Sequence, residues 1–119
     1  MIPAFIERAL TGGTTFEVWG KGDQASDFIH VDDVVSALIA IIENSIDGPV
    51  NLGTGRGATV DEVADIVTKT AKINREIVNR LDKPSGPRWR VADTTLLNTF
   101  YTATVTLEQG IARALHGWA

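Results

Sequence analysis

The sequence predicts a small mixed α/β domain of about four helices and three to five short strands, formed as one unit by residues 1–119. Two capping boxes, Thr59 with Glu62 and Thr106 with Gln109, mark the starts of two helices. Short alternating apolar runs separate the helical patterns and are typical of strands. A chain of 119 residues, 44% of them hydrophobic and 22% charged, has room for one core and none for a second domain.

The first half predicts a helix, a strand and a second helix. Pro3 stands where a first helical turn tolerates proline, and a glycine pair ends that helix. The segment TFEVWG (15–20) then alternates polar and apolar residues as a strand does, and DFIHV (27–31) is rich in β-forming residues. We expect Asp32 to be the N-cap of a helix that runs to about Asn44.

This second predicted helix is apolar around most of its circumference. Its apolar residues are Val34, Val35, Leu38, Ile39, Ile41 and Ile42. Such a helix needs burial on more than one side, and a chain of this size covers two sides of a helix only with difficulty. We therefore expect part of its packing partner to be missing or to come from another subunit.

The second half predicts two strands and the two capped helices. GPVNLG (48–53) and REIVNR (75–80) have the composition of short strands. The helix after Thr59 has an apolar stripe at helical spacing, made by Val60, Val63, Ala64, Val67 and Ala71. Asp93 could cap a short helical turn, and Leu107, Ile111, Ala114 and Leu115 give the last helix its apolar side.

The stretch NLGTGRGA (51–58) imitates a dinucleotide-binding turn. Gly53, Gly55 and Ala58 have the spacing of the Gly-rich fingerprint, which needs a buried parallel strand before it and a free helix N-terminus after it. Here the strand is short, and Asp61 with its neighbouring glutamate would repel a diphosphate at the helix start. We favour a tight glycine connection, and an independent Rossmann domain built on this turn stays a minor alternative.

Composition excludes several classes of function. The net charge is −4 and the basic residues are scattered, so no nucleic-acid surface is expected. There is no cysteine, and His30 and His116 lie too far apart in sequence to suggest a metal site. For Asp27, Asp32 and Asp33 we prefer helix capping over a metal or acid pair, and for His30 a structural role. No export signal or membrane span is expected, which favours the cytoplasm.

The order of several motifs resembles the C-terminal portion of extended short-chain dehydrogenase/reductases, the NAD-dependent nucleotide-sugar epimerases and dehydratases. The resemblance lies in VWGKGDQASDFIHVDDVV (18–35), GPVNLGTG (48–55), KPSGPRWRVADTTLL (83–97) and VTLEQGIARAL (105–115). It covers nearly the whole chain in the family's order. It implies a fold equivalent to the C-terminal part of such an enzyme without its Rossmann core.

The resemblance also implies a site for a nucleotide-diphosphate sugar. Its expected substrate-binding residues are Trp19, Gln24, Ser26, Lys83 and Arg88. Trp19 would lie near the nucleoside and Lys83 near the diphosphate, with Arg88 and Arg90 close enough in the same loop to substitute. Ser26 stands where the family usually has an arginine that contacts the diphosphate, so this chain departs from the pattern at one phosphate contact.

In that family the NAD-binding turn and the catalytic Ser/Thr, Tyr and Lys belong to the N-terminal part. The sole tyrosine, Tyr101, is followed four residues later by Val105 and not by lysine. We therefore expect the substrate-binding portion of an epimerase, dehydratase or reductase that is not catalytically competent alone. NAD(P) would belong to the complete enzyme, and the partner would be an NAD-binding Rossmann chain or a second copy. The alternative is a non-catalytic, self-associating interaction module.

Overall fold

The computed structural model describes residues 1–118, and Ala119, the last residue of the predicted domain, lies outside them. Within this range the chain forms four α-helices, five short strands and one 3-10 helix, which confirms the predicted fold class. The helices are α1 (Ile2–Thr11), α2 (Val31–Glu43), α3 (Val60–Thr70) and α4 (Leu107–Trp118), and the 3-10 helix is Leu97–Thr99. The strands are β1 (Thr15–Trp19), β2 (Ala25–Asp27), β3 (Gly57–Thr59), β4 (Glu76–Arg80) and β5 (Trp89–Arg90).

The strands form two small sheets. In the first, β1 pairs in parallel with β4, and Trp19 lies opposite Arg80 at its end. In the second, β2 is central, antiparallel to β3 and parallel to β5. Ser26 of β2 lies opposite Arg90 of β5. The second sheet therefore joins two loops that are more than sixty residues apart in sequence.

The core lies where α3 packs against α1, α4 and the first sheet. The predicted stripe of α3 faces this core, and Val63, Ala64 and Val67 are fully buried. Phe5 of α1 meets Phe16 of β1 edge to face, with ring centroids 5.3 Å apart. Burial of the apolar stripe of α3 stabilises this arrangement by about 25 cal/mol for each Å² of apolar surface removed from water.

Helix α2 lies outside this core with most of its apolar side chains in solvent. Its buried residues are Asp33 and Ala37, whereas Val35, Leu38 and Ile42 are 50%, 49% and 77% exposed. The radius of gyration is 16.1 Å, against roughly 13.5 Å for a compact domain of this length. As the sequence predicted, the chain does not cover this helix on its own.

Two details of the predicted helix start are wrong. The strand ends at Asp27 and does not extend through His30, because the strand that pairs with β2 on this side, β3, has only three residues. Helix α2 begins one residue before Asp32, and its N-cap is His30, whose Nδ1 accepts a hydrogen bond of 3.1 Å from the backbone N–H of Asp32. His30 thus has the structural role that the sequence suggested.

The predicted strand GPVNLG (48–53) is also wrong, because these residues are not in either sheet of the described chain. A strand needs a neighbour to satisfy its backbone groups, and the described residues place none beside Val50 and Leu52. Asp93 closes a turn by accepting hydrogen bonds from Thr95, while the 3-10 helix begins later, at Leu97.

Candidate functional site

The site is built from two loops, residues 19–26 and 80–90, which backbone hydrogen bonds bring together. The N–H of Gly20 donates to the carbonyl of Arg80 at 2.9 Å, and the N–H of Ala25 donates to the carbonyl of Arg88 at 2.9 Å. A Cβ on Gly20 would lie 2.8 Å from the Cβ of Ser85, so the two loops approach each other at a point where a side chain does not fit. This closeness places the candidate residues of both loops on one side of the molecule.

Gln24 and Ser26, two of the predicted residues, line one cavity of about 640 Å³. Arg90 lines the same cavity, together with the apolar side chains of Phe28 and Leu52. The side-chain oxygen of Gln24 is buried and has no hydrogen-bond partner among the described residues. A buried acceptor without a partner costs about 1 to 3 kcal/mol. A residue that lines this cavity therefore has a side-chain oxygen that lacks a hydrogen bond.

Arg88, a third predicted residue, lines an adjoining cavity of about 350 Å³. Lys21, Asp23 and Ser85 line it as well, and Gln24 lies at the boundary of both cavities. The two cavities thus share Gln24, and cationic side chains line both of them: Arg90 the first, Lys21 and Arg88 the second. The cavities adjoin at Gln24 and Gly86, where the two loops meet.

Trp19 and Lys83, the remaining predicted residues, contact each other but line neither of these cavities. The Nζ of Lys83 lies 5.7 Å from the centroid of the Trp19 ring, and the guanidinium carbon of Arg8 lies 6.0 Å from it. Trp19 is 45% exposed, so a broad part of its ring is accessible. An exposed aromatic ring flanked by cations suits a ligand that combines a flat ring with negative charge.

The glycine turn at residues 53–57 already holds an anion that belongs to the protein. The carboxylate of Asp27 accepts hydrogen bonds from the N–H of Thr54 at 2.9 Å and from the N–H of Gly55 at 2.9 Å, and also from the Thr54 hydroxyl at 2.5 Å. These backbone groups are the ones that a phosphate would require. The turn therefore does not fit the diphosphate of NAD, and the Rossmann interpretation of this segment is not supported.

The capping residues at the starts of α3 and α4 likewise occupy backbone N–H groups that a bound anion would need. Thr59 accepts from the N–H of Glu62 at 3.1 Å, while the Glu62 side chain pairs with Arg56 instead of returning to the backbone. Thr106 and Gln109 cap each other reciprocally, at 3.0 and 3.2 Å. The Thr106–Gln109 box is therefore confirmed in full, whereas at Thr59 only the N-cap half of the predicted box forms.

Asp33 is the buried charge of the structure, at 1% exposure. It accepts hydrogen bonds from the Tyr101 hydroxyl at 2.6 Å, from the N–H and hydroxyl of Thr104 at 2.9 and 3.0 Å, and from the N–H of Val105 at 2.9 Å. Burial raises the pKa of Asp33, but these hydrogen bonds outweigh it and lower the pKa to about 2. The hydrogen bond that the Tyr101 hydroxyl donates to Asp33 raises the pKa of Tyr101. This tyrosine therefore serves as a structural hydrogen-bond donor.

The capping role predicted for Asp27, Asp32 and Asp33 is wrong, because His30 caps α2. Asp27 instead binds the glycine turn, Asp32 pairs with Arg113, and Asp33 binds the segment before α4. Within residues 1–118 no group of three or more histidine, aspartate or glutamate side chains could hold a metal ion. Over the same residues, no helix combines the length and the apolar character needed to cross a bilayer.

Sequence reasoning missed the role of Asp27, and it named Arg90 only as a substitute for Lys83 in the same loop, without its pairing to Ser26. Asp27 contacts a turn that lies 27 and 28 residues further along, and no local pattern encodes a hydrogen bond over that separation. The strand that sets Arg90 opposite Ser26 has two residues and lies inside a Pro/Gly loop. Its pairing with β2 is visible only in three dimensions.

Comparisons with known proteins agree with this architecture. Residues 1–53 match the NAD dependent epimerase/dehydratase family. The chain is 31% identical to GDP-L-colitose synthase of Yersinia pseudotuberculosis, over 95% of this chain and 39% of that protein. It is 29% identical to GDP-mannose 3,5-epimerase 1 of Oryza sativa, over 91% of this chain and 29% of that protein.

Solved structures share the fold. The UDP-glucose 4-epimerase of Thermotoga maritima, solved with UDP-glucose, has a TM-score of 0.80 and 26% identity, over 98% of this chain and 38% of that chain. A GDP-L-fucose synthetase of Naegleria fowleri has a TM-score of 0.83 at 18% identity, over 97% of this chain and 37% of that one.

The chain thus spans between 29% and 40% of the length of the curated relatives it matches. Its helix and strand content corresponds to a part of these enzymes, in agreement with the motifs of its two loops. In sequence and fold the chain is similar to a portion of the extended short-chain dehydrogenase/reductases, and the model of the NAD dependent epimerase/dehydratase family matches its residues 1–53.

Proposed function

We propose that this chain, as a single domain, is the part of an NAD(P)-dependent epimerase, dehydratase or reductase that binds a nucleotide-diphosphate sugar. The observation that carries the proposal is the junction of residues 19–26 with residues 80–90. All five residues expected to bind substrate lie along that junction, and the β2–β5 pairing and two backbone hydrogen bonds hold it together. The relatives' names include GDP-sugar enzymes, which supports this ligand class.

Each of these residues has a role that its surroundings support. The exposed ring of Trp19 stacks on the base, and Lys83, 5.7 Å away, binds a phosphate oxygen. Arg88 supplies a second cation from the adjoining cavity. Gln24 donates and accepts hydrogen bonds between the two cavities, and Ser26 contributes a hydroxyl.

The NAD(P)-binding part covers the apolar face of α2 in this proposal. The family is described as NAD dependent, and the chain spans well under half the length of its relatives, so the remaining length is available to form that part. The residues of α2 that would pack against it are Val31, Val35, Leu38, Ile39 and Ile42. Activity by this chain alone is not expected on this view, and location in the cytoplasm stays a prediction.

A binding titration tests the proposal. We expect the folded chain to give saturable heat with GDP-mannose or UDP-glucose in calorimetry. Lys83→Ala should weaken that binding by about tenfold, because one charge-assisted contact contributes about 1.5 kcal/mol or more. Lys69→Ala is the matched control, since Lys69 is an exposed lysine on α3 that pairs with Asp65 away from the junction. Absence of binding by a chain shown to be folded would overturn the proposal.

The exposed face of α2 favours a second candidate function, a self-associating interaction module. Contiguous apolar surface of this kind drives association between copies. Light scattering distinguishes the two functions: a stable dimer that Leu38→Glu with Ile42→Glu converts to a monomer would support the module. A monomer that binds an apolar dye until these substitutions are made would support a face reserved for the NAD(P)-binding part.

A further inference from the structure

We infer that Arg90 binds an anionic group of the ligand and that it supplies, from β5, the guanidinium that position 26 of β2 lacks. The inference rests on the proposed function and assigns one more residue to the same site. It concerns an oxyanion, which is either a phosphate of the diphosphate or a carboxylate on the sugar.

The position of Arg90 follows from strand register. Ser26 and Arg90 are paired residues on adjacent parallel strands, so their side chains project from the same face of the sheet. Both line the cavity of about 640 Å³, and Gln24, whose side-chain oxygen is buried without a partner, lines it as well. The small serine leaves room in front of the longer arginine, whereas a second arginine at position 26 would compete with it for space and charge.

Arg90 is also free to take a ligand. Several other arginines of the described chain are paired: Arg80 with Glu17 and Asp82, Arg56 with Glu62, and Arg113 with Asp32. No ion pair or side-chain hydrogen bond involves Arg90 within residues 1–118. The carboxylate that lines the same cavity, Asp27, accepts its hydrogen bonds from the glycine turn.

The ligand chemistry follows from this set of groups. A guanidinium with a neighbouring hydroxyl and an amide suits a planar or tetrahedral oxyanion that accepts two parallel hydrogen bonds. Phe28 and Leu52 add apolar walls on which a sugar ring can pack. One cation in this cavity and another, Arg88, in the adjoining one match a ligand with negative charge spread along its length.

The test is a calorimetric titration of the full chain with UDP-glucose, GDP-mannose and UDP-glucuronate. We expect Arg90→Ser to weaken binding by about tenfold to a hundredfold, since it removes a charge-assisted contact. A similar loss for all three ligands identifies the diphosphate, and a loss confined to UDP-glucuronate identifies the sugar carboxylate. Arg113→Ser is the matched control, because Arg113 is exposed on α4 and pairs with Asp32 outside this cavity.

A charge relocation separates a binding role from a structural one. The double variant Ser26→Arg with Arg90→Ser returns a guanidinium to the same cavity from the opposite strand, and we expect it to recover most of the lost affinity. Unchanged binding by Arg90→Ser, with wild-type binding intact, would overturn this inference and leave the proposed function standing. Failure of the wild-type chain to bind any of the three ligands would overturn both.

Discussion

Asp33→Asn is expected to lower the free energy of unfolding by about 3 kcal/mol at pH 7. The buried carboxylate accepts four hydrogen bonds that join the start of α2 to the segment before α4. An asparagine keeps the shape but presents a donor to groups that also donate. The buried N–H of Val105, which bonds to the second carboxylate oxygen, would then lose its acceptor. Chemical denaturation followed by circular dichroism measures this loss.

The pH dependence of this effect has a definite sign. The folded pKa of Asp33 is lowered from 3.8 to about 2, so its contribution to stability is complete above the unfolded pKa and is lost as the pH falls through about 2. A difference of this size corresponds to about 2.5 kcal/mol. The stability difference between the wild-type chain and Asp33→Asn should therefore shrink between pH 4 and pH 2.

Asp32→Asn is the matched control for this measurement. Asp32 is the preceding residue on α2, but its side chain is 64% exposed and pairs with Arg113 at the surface. Such a pair contributes up to about 1 kcal/mol. Equal losses for the two variants would contradict the argument that burial and four hydrogen bonds distinguish Asp33.

Gly22→Ala is expected to cost about 2 to 4 kcal/mol and to displace the loop that carries Gln24. Gly22 has a φ of 77°, and a Cβ there would lie 2.2 Å from the carboxyl carbon of Asp61. Asp61 cannot easily retreat, because its N–H donates to the carbonyl of Gly22 at 3.1 Å and its carboxylate accepts from Asn79 at 3.1 Å. Thermal unfolding and the nucleotide-sugar titration should both register the change.

Gly48→Ala is the control that separates the cost of the steric contact with Asp61 from the cost of backbone strain. Gly48 has a φ of 85°, close to that of Gly22, but a Cβ there would meet no atom within 4 Å. Its substitution should cost only the backbone strain, about 1 to 2 kcal/mol. Equal losses of stability in the two glycine variants would show that the contact with Asp61 does not contribute to the cost of Gly22→Ala.

Local patterns predicted much of this fold because their physics is local. A capping box such as Thr106 with Gln109 satisfies backbone groups three residues away, and the stripe of α3 follows from helical periodicity. The same applies to β1, whose alternation of buried and exposed residues is visible in five letters. Even the exposure of α2 follows from the sequence, because its apolar circumference exceeds what so short a chain can cover.

The candidate site was harder to predict from the sequence than the fold, because it depends on contacts between distant segments. The motifs indicated Trp19 and Lys83, but only the tertiary structure places the lysine 5.7 Å from the ring. The strand pair that sets Ser26 opposite Arg90 has too few residues for its pattern to be recognised. Likewise, the sequence favoured a tight connection over a phosphate turn at residues 53–57, but only the structure shows Asp27 bound to its backbone amides.

The sequence by itself therefore determined most of the helices and the resemblance to a family, since each depends on residue types at short spacing. The tertiary structure decided which loops meet, which anion fills the glycine turn and which arginine faces the cavity. Those outcomes depend on hydrogen bonds between residues far apart in the chain, such as Asp27 with Thr54 and Ala25 with Arg88, and no local pattern encodes such separations.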